Sequence, residues 1–132
     1  MIVGIGVDEV EVDRFARSLA RTPTLARRLF TDDEQAYAAA SPGLAAQRLA
    51  VRFAAKEATL KSMGAGLGAC RFVDIEVARD AASGAPALRL HGGALELDAG
   101  LGIGRWHLSL SHTEVRASAF VVAEGPPVEV QR

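Results

Sequence analysis

The sequence predicts a single α+β domain in which an N-terminal strand and helices pack on an antiparallel sheet. Helical periodicity fills the first half of the chain and alternation of period two most of the second. No repeat or composition shift divides the 132 residues. That length suffices for one hydrophobic core, and 49% apolar with 23% charged residues is the make-up of an ordinary globular protein.

The opening "MIVGIGVD" reads as a strand with Val3, Ile5 and Val7 on one face and Gly4, Gly6 and Asp8 on the other. Glycine weakens a strand unless another backbone or a ligand comes close, so Asp8 is expected beside such an approach. A helix follows from Asp13 to Arg21 and closes at "TPT". In "TDDE", Thr31 with Glu34 three residues on is a capping box that opens a helix to Ala40, which "SPG" breaks. The next helix runs from Leu44 to Met63, with Leu49, Phe53 and Leu60 on its apolar face and Gly64 as its C-terminal cap.

From Phe72 the period is two. "FVDIEVAR" turns Val73, Ile75 and Val77 inward, "DAASGAP" is a turn, and "ALRLH" is the partner strand. "GGALELDAGLGIG" reads either as a short helix or as a glycine-rich connection. "WHLSLSH" and "ASAFVVAE" are two further strands joined by "TEVR". Residues 1–124 form the domain, and 125–132, "GPPVEVQR", read as a loosely ordered tail.

Several classes are excluded at this stage. No apolar run is long enough to cross a bilayer, and the N-terminus has neither a basic segment nor a cleavage site, which points to a cytoplasmic protein. The single cysteine, Cys70, rules out an internal disulfide and a thiolate metal cluster. A net charge of −1 argues against broad nucleic-acid binding. Arg14, Arg17 and Arg21, however, share one helix face, either as solvated charge or as a docking surface for an acidic partner.

Chemistry concentrates in three places. The only two lysines, Lys56 and Lys61, flank Glu57 in "RFAAKEATLKSMGAGLG". Glu57 and Lys61 are four apart, the geometry of a surface ion pair, but a lysine ammonium also suits a phosphate oxygen. Lys56 reads as a solvated neighbour. The glycines at 64, 66 and 68 match no phosphate-loop fingerprint and follow a helix C-terminus, whose partial charge repels anions.

Asp8 and Glu57 are the candidates for a hard cation, because magnesium takes one or two protein carboxylates plus waters and phosphates. Glu11 reads as a support for that site or as a cap. In "WHLSLSHT", Trp106, Leu108, Leu110 and His112 share a face, with His112 at the strand end. Ser111 points to the opposite face, so a serine–histidine hydrolase fits poorly.

Three blocks, "GIGVDEVEVDRF", "RFAAKEATLKSMGAGLG" and "WHLSLSHTEVRASAFVVAE", occur in the order and spacing that resemble the holo-acyl-carrier-protein synthases, the small group of the 4′-phosphopantetheinyl transferases. The resemblance implies that family's fold and a magnesium-dependent transfer of 4′-phosphopantetheine from coenzyme A to a serine of apo acyl carrier protein, with adenosine 3′,5′-bisphosphate leaving. It implies a role in fatty-acid or polyketide biosynthesis. By the same resemblance Asp8 and Glu57 hold the metal, and Lys61 neutralises a phosphate oxygen. Arg52 contacts the nucleotide phosphates, Gly64 and Gly66 line the cofactor, and His112 with Thr113 contacts coenzyme A near its 3′-phosphate.

The base that takes the serine proton is open, Glu57 being one possibility. An acidic carrier protein makes Arg14, Arg17 and Arg21 a docking face. Small members of the family assemble as trimers, with the strand-end histidine of one chain facing the Asp8 and Glu57 pair of the next. Two departures stand out. Ala65 occupies a position where the family often has threonine, and the stretch before Trp106 is long. The competing reading is a non-catalytic carrier-protein or nucleotide-binding module, against which Asp8, Glu57 and Lys61 argue.

Overall fold

The computed structural model describes residues 1–127, so most of the expected tail lies outside the described residues. Strand β1 (Ile2–Glu11) leads into helices α1 (Val12–Arg21), α2 (Leu25–Leu29) and α3 (Asp32–Ala39), and then into the long helix α4 (Ala45–Ser62). A hairpin of β2 (Ile75–Arg79) and β3 (Pro86–Leu90) follows, then α5 (Gly92–Leu101) and strands β4 (Arg105–His112) and β5 (Arg116–Glu124). Strands β1, β5 and β4 form one antiparallel sheet in that order, and β2 and β3 form a second. No described helix is long and apolar enough to cross a membrane.

Helix α4 lies across the three-stranded sheet, and small residues decide how close it comes. Ala54, Ala55 and Ala58 of α4 meet Ala119 and Val121 of β5 in one buried layer. On β1 a Cβ at Gly4 would fall on the Ser62 carbonyl, and one at Gly6 on that of Ala58. The approach foreseen from these glycines is therefore made by a helix backbone, and it turns the glycine face inward.

The apolar row of β1 faces outward as a consequence: Ile5 is 63% exposed, and Phe120, registered against Val7 from β5, is 56% exposed. Midway along α4, Phe15 stacks on Phe53 at 4.9 Å and Phe53 on Phe72 at 5.6 Å, joining α1 to the segment before the hairpin.

The capping box forms with both arms: the Glu34 amide donates to Thr31 Oγ1 at 3.1 Å and the Thr31 amide to Glu34 Oε1 at 3.0 Å. Glu34 does more than cap. It is buried and pairs with Lys56 Nζ at 2.8 Å, and its Oε2 accepts the Val77 amide at 3.0 Å. Lys56 is thus not a solvated neighbour of Glu57: it is 0% exposed, and its three donors meet Glu34 and the carbonyls of Phe72 and Ile75. Burial pulls its pKa down, and the Glu34 carboxylate opposes that shift.

Other expectations resolve locally. The 92–101 segment is a helix, ended by Gly102 in the left-handed region at φ 67°. Val73 belongs to a 3₁₀ turn (Phe72–Asp74) and is only half-buried. Residues 113–115 make a tight turn in which Thr113 Oγ1 accepts the amides of Val115 and Arg116, both at 3.1 Å. Gly125 is tied back to the start of the chain, donating to and accepting from Met1 at 2.8 Å.

Candidate active site

Strand β1 and helix α4 bring Asp8, Glu57 and Lys61 together at a cavity of about 660 Å³, whose wall includes Asp8, Glu57, Arg14, Phe15, Phe53 and Arg116. Asp8 is aimed there because it shares the inward face with Gly4 and Gly6, where the helix lies against the strand. Lys61 donates to Asp8 Oδ1 and to the Val7 carbonyl, each at 3.0 Å. The ion pair expected between Glu57 and Lys61 along the helix is not the one formed.

Asp8 Oδ2 is buried with no hydrogen-bond partner among the described residues. Beside it the Glu57 carboxyl is pushed up to about 7, first by burial and then by the adjoining Asp8 carboxylate, while Lys61 pulls the other way. Two carboxyls held this close share either the proton that burial favours on Glu57 or, once that proton is lost, a cation. Asp8 and Glu57 are too few to enclose an ion, and no cluster of three or more acidic, histidine or cysteine ligands exists among the described residues. That donor set matches an ion that draws its remaining ligands from water and phosphate.

Gly64 and Gly66 follow at the end of α4. Gly64, the residue after the Met63 cap, adopts φ 64°, and a Cβ on either glycine would meet nothing within 4 Å, so the loop borders open space. Arg14, Arg17 and Arg21 are all exposed along α1 and pair with no carboxylate among the described residues.

Arg52 and His112 belong to a separate place. Asp8 and Leu110 both register against Ala119 of β5, so two strand spacings, roughly 10 Å, divide the β1 and β4 edges. His112 Nδ1 lies 2.7 Å from Gln47 Oε1, and the ring borders a cavity of about 190 Å³ together with Arg48, Arg52, Arg79 and Tyr37. Arg52 is 5% exposed with its Nε unpartnered. Burial lowers its pKa, and Tyr37 and Glu34 oppose that shift.

Within one chain, then, the acidic pair and the arginine–histidine group stand apart, at two cavities. Sequence reasoning missed Tyr37, Arg48 and Arg79. Only Arg48, one turn before Arg52, carried a signal in its spacing.

A sequence model of the 4′-phosphopantetheinyl transferase superfamily matches residues 4–117. The chain is 50% identical over 124 residues to a holo-acyl-carrier-protein synthase of Beutenbergia cavernae, covering 94% of this chain and 99% of that protein. Its fold superposes on a holo-acyl-carrier-protein synthase from Neisseria meningitidis with a TM-score of 0.84 at 37% identity, covering 94% of this chain and 99% of the other. A Bacillus anthracis holo-acyl-carrier-protein synthase in complex with CoA (3′,5′-ADP) matches with a TM-score of 0.78 at 35% identity, covering 96% and 99%.

Proposed function

The chain belongs to the holo-acyl-carrier-protein synthases of the 4′-phosphopantetheinyl transferase superfamily, and from that premise we propose that it transfers the 4′-phosphopantetheine of coenzyme A to a serine hydroxyl of apo acyl carrier protein. The serine hydroxyl gives up its proton to a base, its oxygen bonds to the phosphorus that carries pantetheine, the phosphoanhydride bond breaks, and adenosine 3′,5′-bisphosphate leaves. The setting we propose is cytoplasmic carrier-protein activation for fatty-acid or polyketide synthesis.

The observation that carries this reading is the orphaned, buried Oδ2 of Asp8 beside Glu57 and within reach of Lys61. Asp8 and Glu57 would hold magnesium. When bound, that ion supplies charge neutralisation at the pyrophosphate. Lys61, exposed on a flexible stem, can exchange Asp8 for a phosphate oxygen, which a compact ammonium suits. Gly64 and Gly66 leave the cofactor room beside it, while Arg52 and His112, with Thr113 next in the chain, take the nucleotide phosphates.

The two groups meet if copies of the chain associate. The outward row of Ile5, Val7 and Phe120 is the apolar surface such an assembly would cover, and a homotrimer would set His112 of one copy against the Asp8 and Glu57 pair of the next. Exposed Arg14, Arg17 and Arg21, the first of them on the wall of the larger cavity, suit an acidic carrier protein.

Incubation with coenzyme A, magnesium and apo carrier protein is expected to add one phosphopantetheine mass to the carrier, and a chelator is expected to stop it. No addition across a panel of apo carriers would refute the reading.

A further inference from the structure

Three guanidinium groups gather on one phenol ring. The Cζ atoms of Arg48, Arg52 and Arg79 lie 4.1, 4.4 and 4.7 Å from the centroid of Tyr37. They arrive from separate elements: Arg48 and Arg52 one turn apart on α4, Arg79 at the end of β2, and the ring itself from α3. None of the three pairs with a carboxylate among the described residues.

Their contacts are to backbone carbonyls. Arg48 donates to Tyr37 O at 2.7 Å, Arg52 to Arg48 O at 3.2 Å, and Arg79 to Gly84 O at 3.2 Å. Three like charges in one place repel one another, and here the negative face of the ring is the common counterweight. Buried Arg52 keeps an unused Nε donor, and the cavity of about 190 Å³ has all three arginines and His112 on its wall.

We infer that Tyr37 is a positioning residue: its ring collects Arg48, Arg52 and Arg79 into a preformed receptor for a phosphate monoester, and so sets the preference for a nucleotide bearing a 3′-phosphate over one without it. The inference rests on the proposed reading in taking the ligand to be coenzyme A's nucleotide. A monoester is dianionic with three terminal oxygens, which rigid guanidinium forks match better than a singly charged diester would. Holding the forks in place beforehand removes ordering cost from binding, and that gain is specific to the ligand carrying the extra phosphate.

The test is calorimetric binding of adenosine 3′,5′-bisphosphate and of adenosine 5′-monophosphate to the full chain, wild type and variants. Wild type is expected to prefer the bisphosphate. Tyr37→Leu is expected to lower that preference about tenfold, while Tyr37→Phe, which keeps the ring, retains it. Exposed Arg79→Gln should lower the preference with the melting temperature unchanged, and it decides the matter if Tyr37→Leu does not fold.

No preference in wild type, an unchanged preference in Tyr37→Leu, or equal weakening of both nucleotides would overturn the assignment. So would an unchanged preference in Arg79→Gln. A protein that shows the expected pattern but modifies no carrier would refute the transferase reading and leave the role of Tyr37 standing.

Discussion

Lys61 reaches back across 53 residues to donate to Asp8 Oδ1 at 3.0 Å, and leaves Glu57, one turn away on its own helix, without an ion pair among the described residues. The lysine thereby binds strand to helix at the point where a cation and a phosphate would compete for the same groups. Lys61→Ala is expected to lower the rate of carrier modification about 100-fold or more, as loss of one donor to developing charge does. Lys61→Arg should rescue little, because a planar fork does not reproduce a compact ammonium. Rates followed by mass spectrometry of the carrier check both, and a fully active Lys61→Ala enzyme would remove the residue from the site.

Glu57 makes the metal-free protein sensitive to pH. Its pKa is raised from 4.5 to about 7, so the fold favours the protonated carboxyl. That contribution is fully present below pH 4.5 and is lost as pH rises through about 7. In chelator the melting temperature should therefore fall across this window, and in Glu57→Gln the fall should flatten. Magnesium should restore stability chiefly at the upper end, where Glu57 loses its proton. Thermal scans with and without magnesium would show it, and identical pH profiles for wild type and variant would contradict the assignment.

Lys56→Met strands the Glu34 carboxylate in the core. Breaking one half of a buried pair is expected to destabilise by about 3–5 kcal/mol. Changing Glu34→Gln in the same chain should recover part of the loss, because the amide oxygen can still accept from Val77 or Thr31. Urea unfolding of both single variants and the double variant measures the coupling.

Arg14→Glu with Arg17→Glu is expected to weaken carrier-protein binding at least tenfold and far more than coenzyme A binding, with the difference shrinking at high salt. Both side chains are exposed, so the fold should be unaffected. Equal loss of both ligands would move these arginines into the cofactor site.

Phe120→Glu sets a charge in the centre of the outward apolar row. Light scattering should report three chains for wild type and one for the variant, and the variant should lose transferase activity with its fold retained. An unaltered assembly would place the contact elsewhere.

The local devices were legible in the sequence because their causes are local. The Thr31 and Glu34 box, the positive φ at Gly64, the strand alternations and the α4 span all follow from neighbours within a turn or a pleat. The first two chemical blocks also pointed to Asp8, Glu57 and Lys61 as one group, and the fold brings them together. The two readings of 92–101 stayed open because glycine and leucine there support either a helix or a connection, and docking beside the hairpin selected the helix.

What only the tertiary structure decided is which face and which partner. Alternation divides β1 into two faces but does not say which is inside; the α4 backbone fits only where Gly4 and Gly6 have no side chains, and that turns Ile5 and Val7 outward. Lys56 reads as surface charge until α3 delivers Glu34 to it from 22 residues away. Tyr37 and Arg79 have no shared spacing at all. Helix, strand and helix converge there because the core beneath them closes, and a guanidinium cluster of that kind is set by packing rather than by pattern.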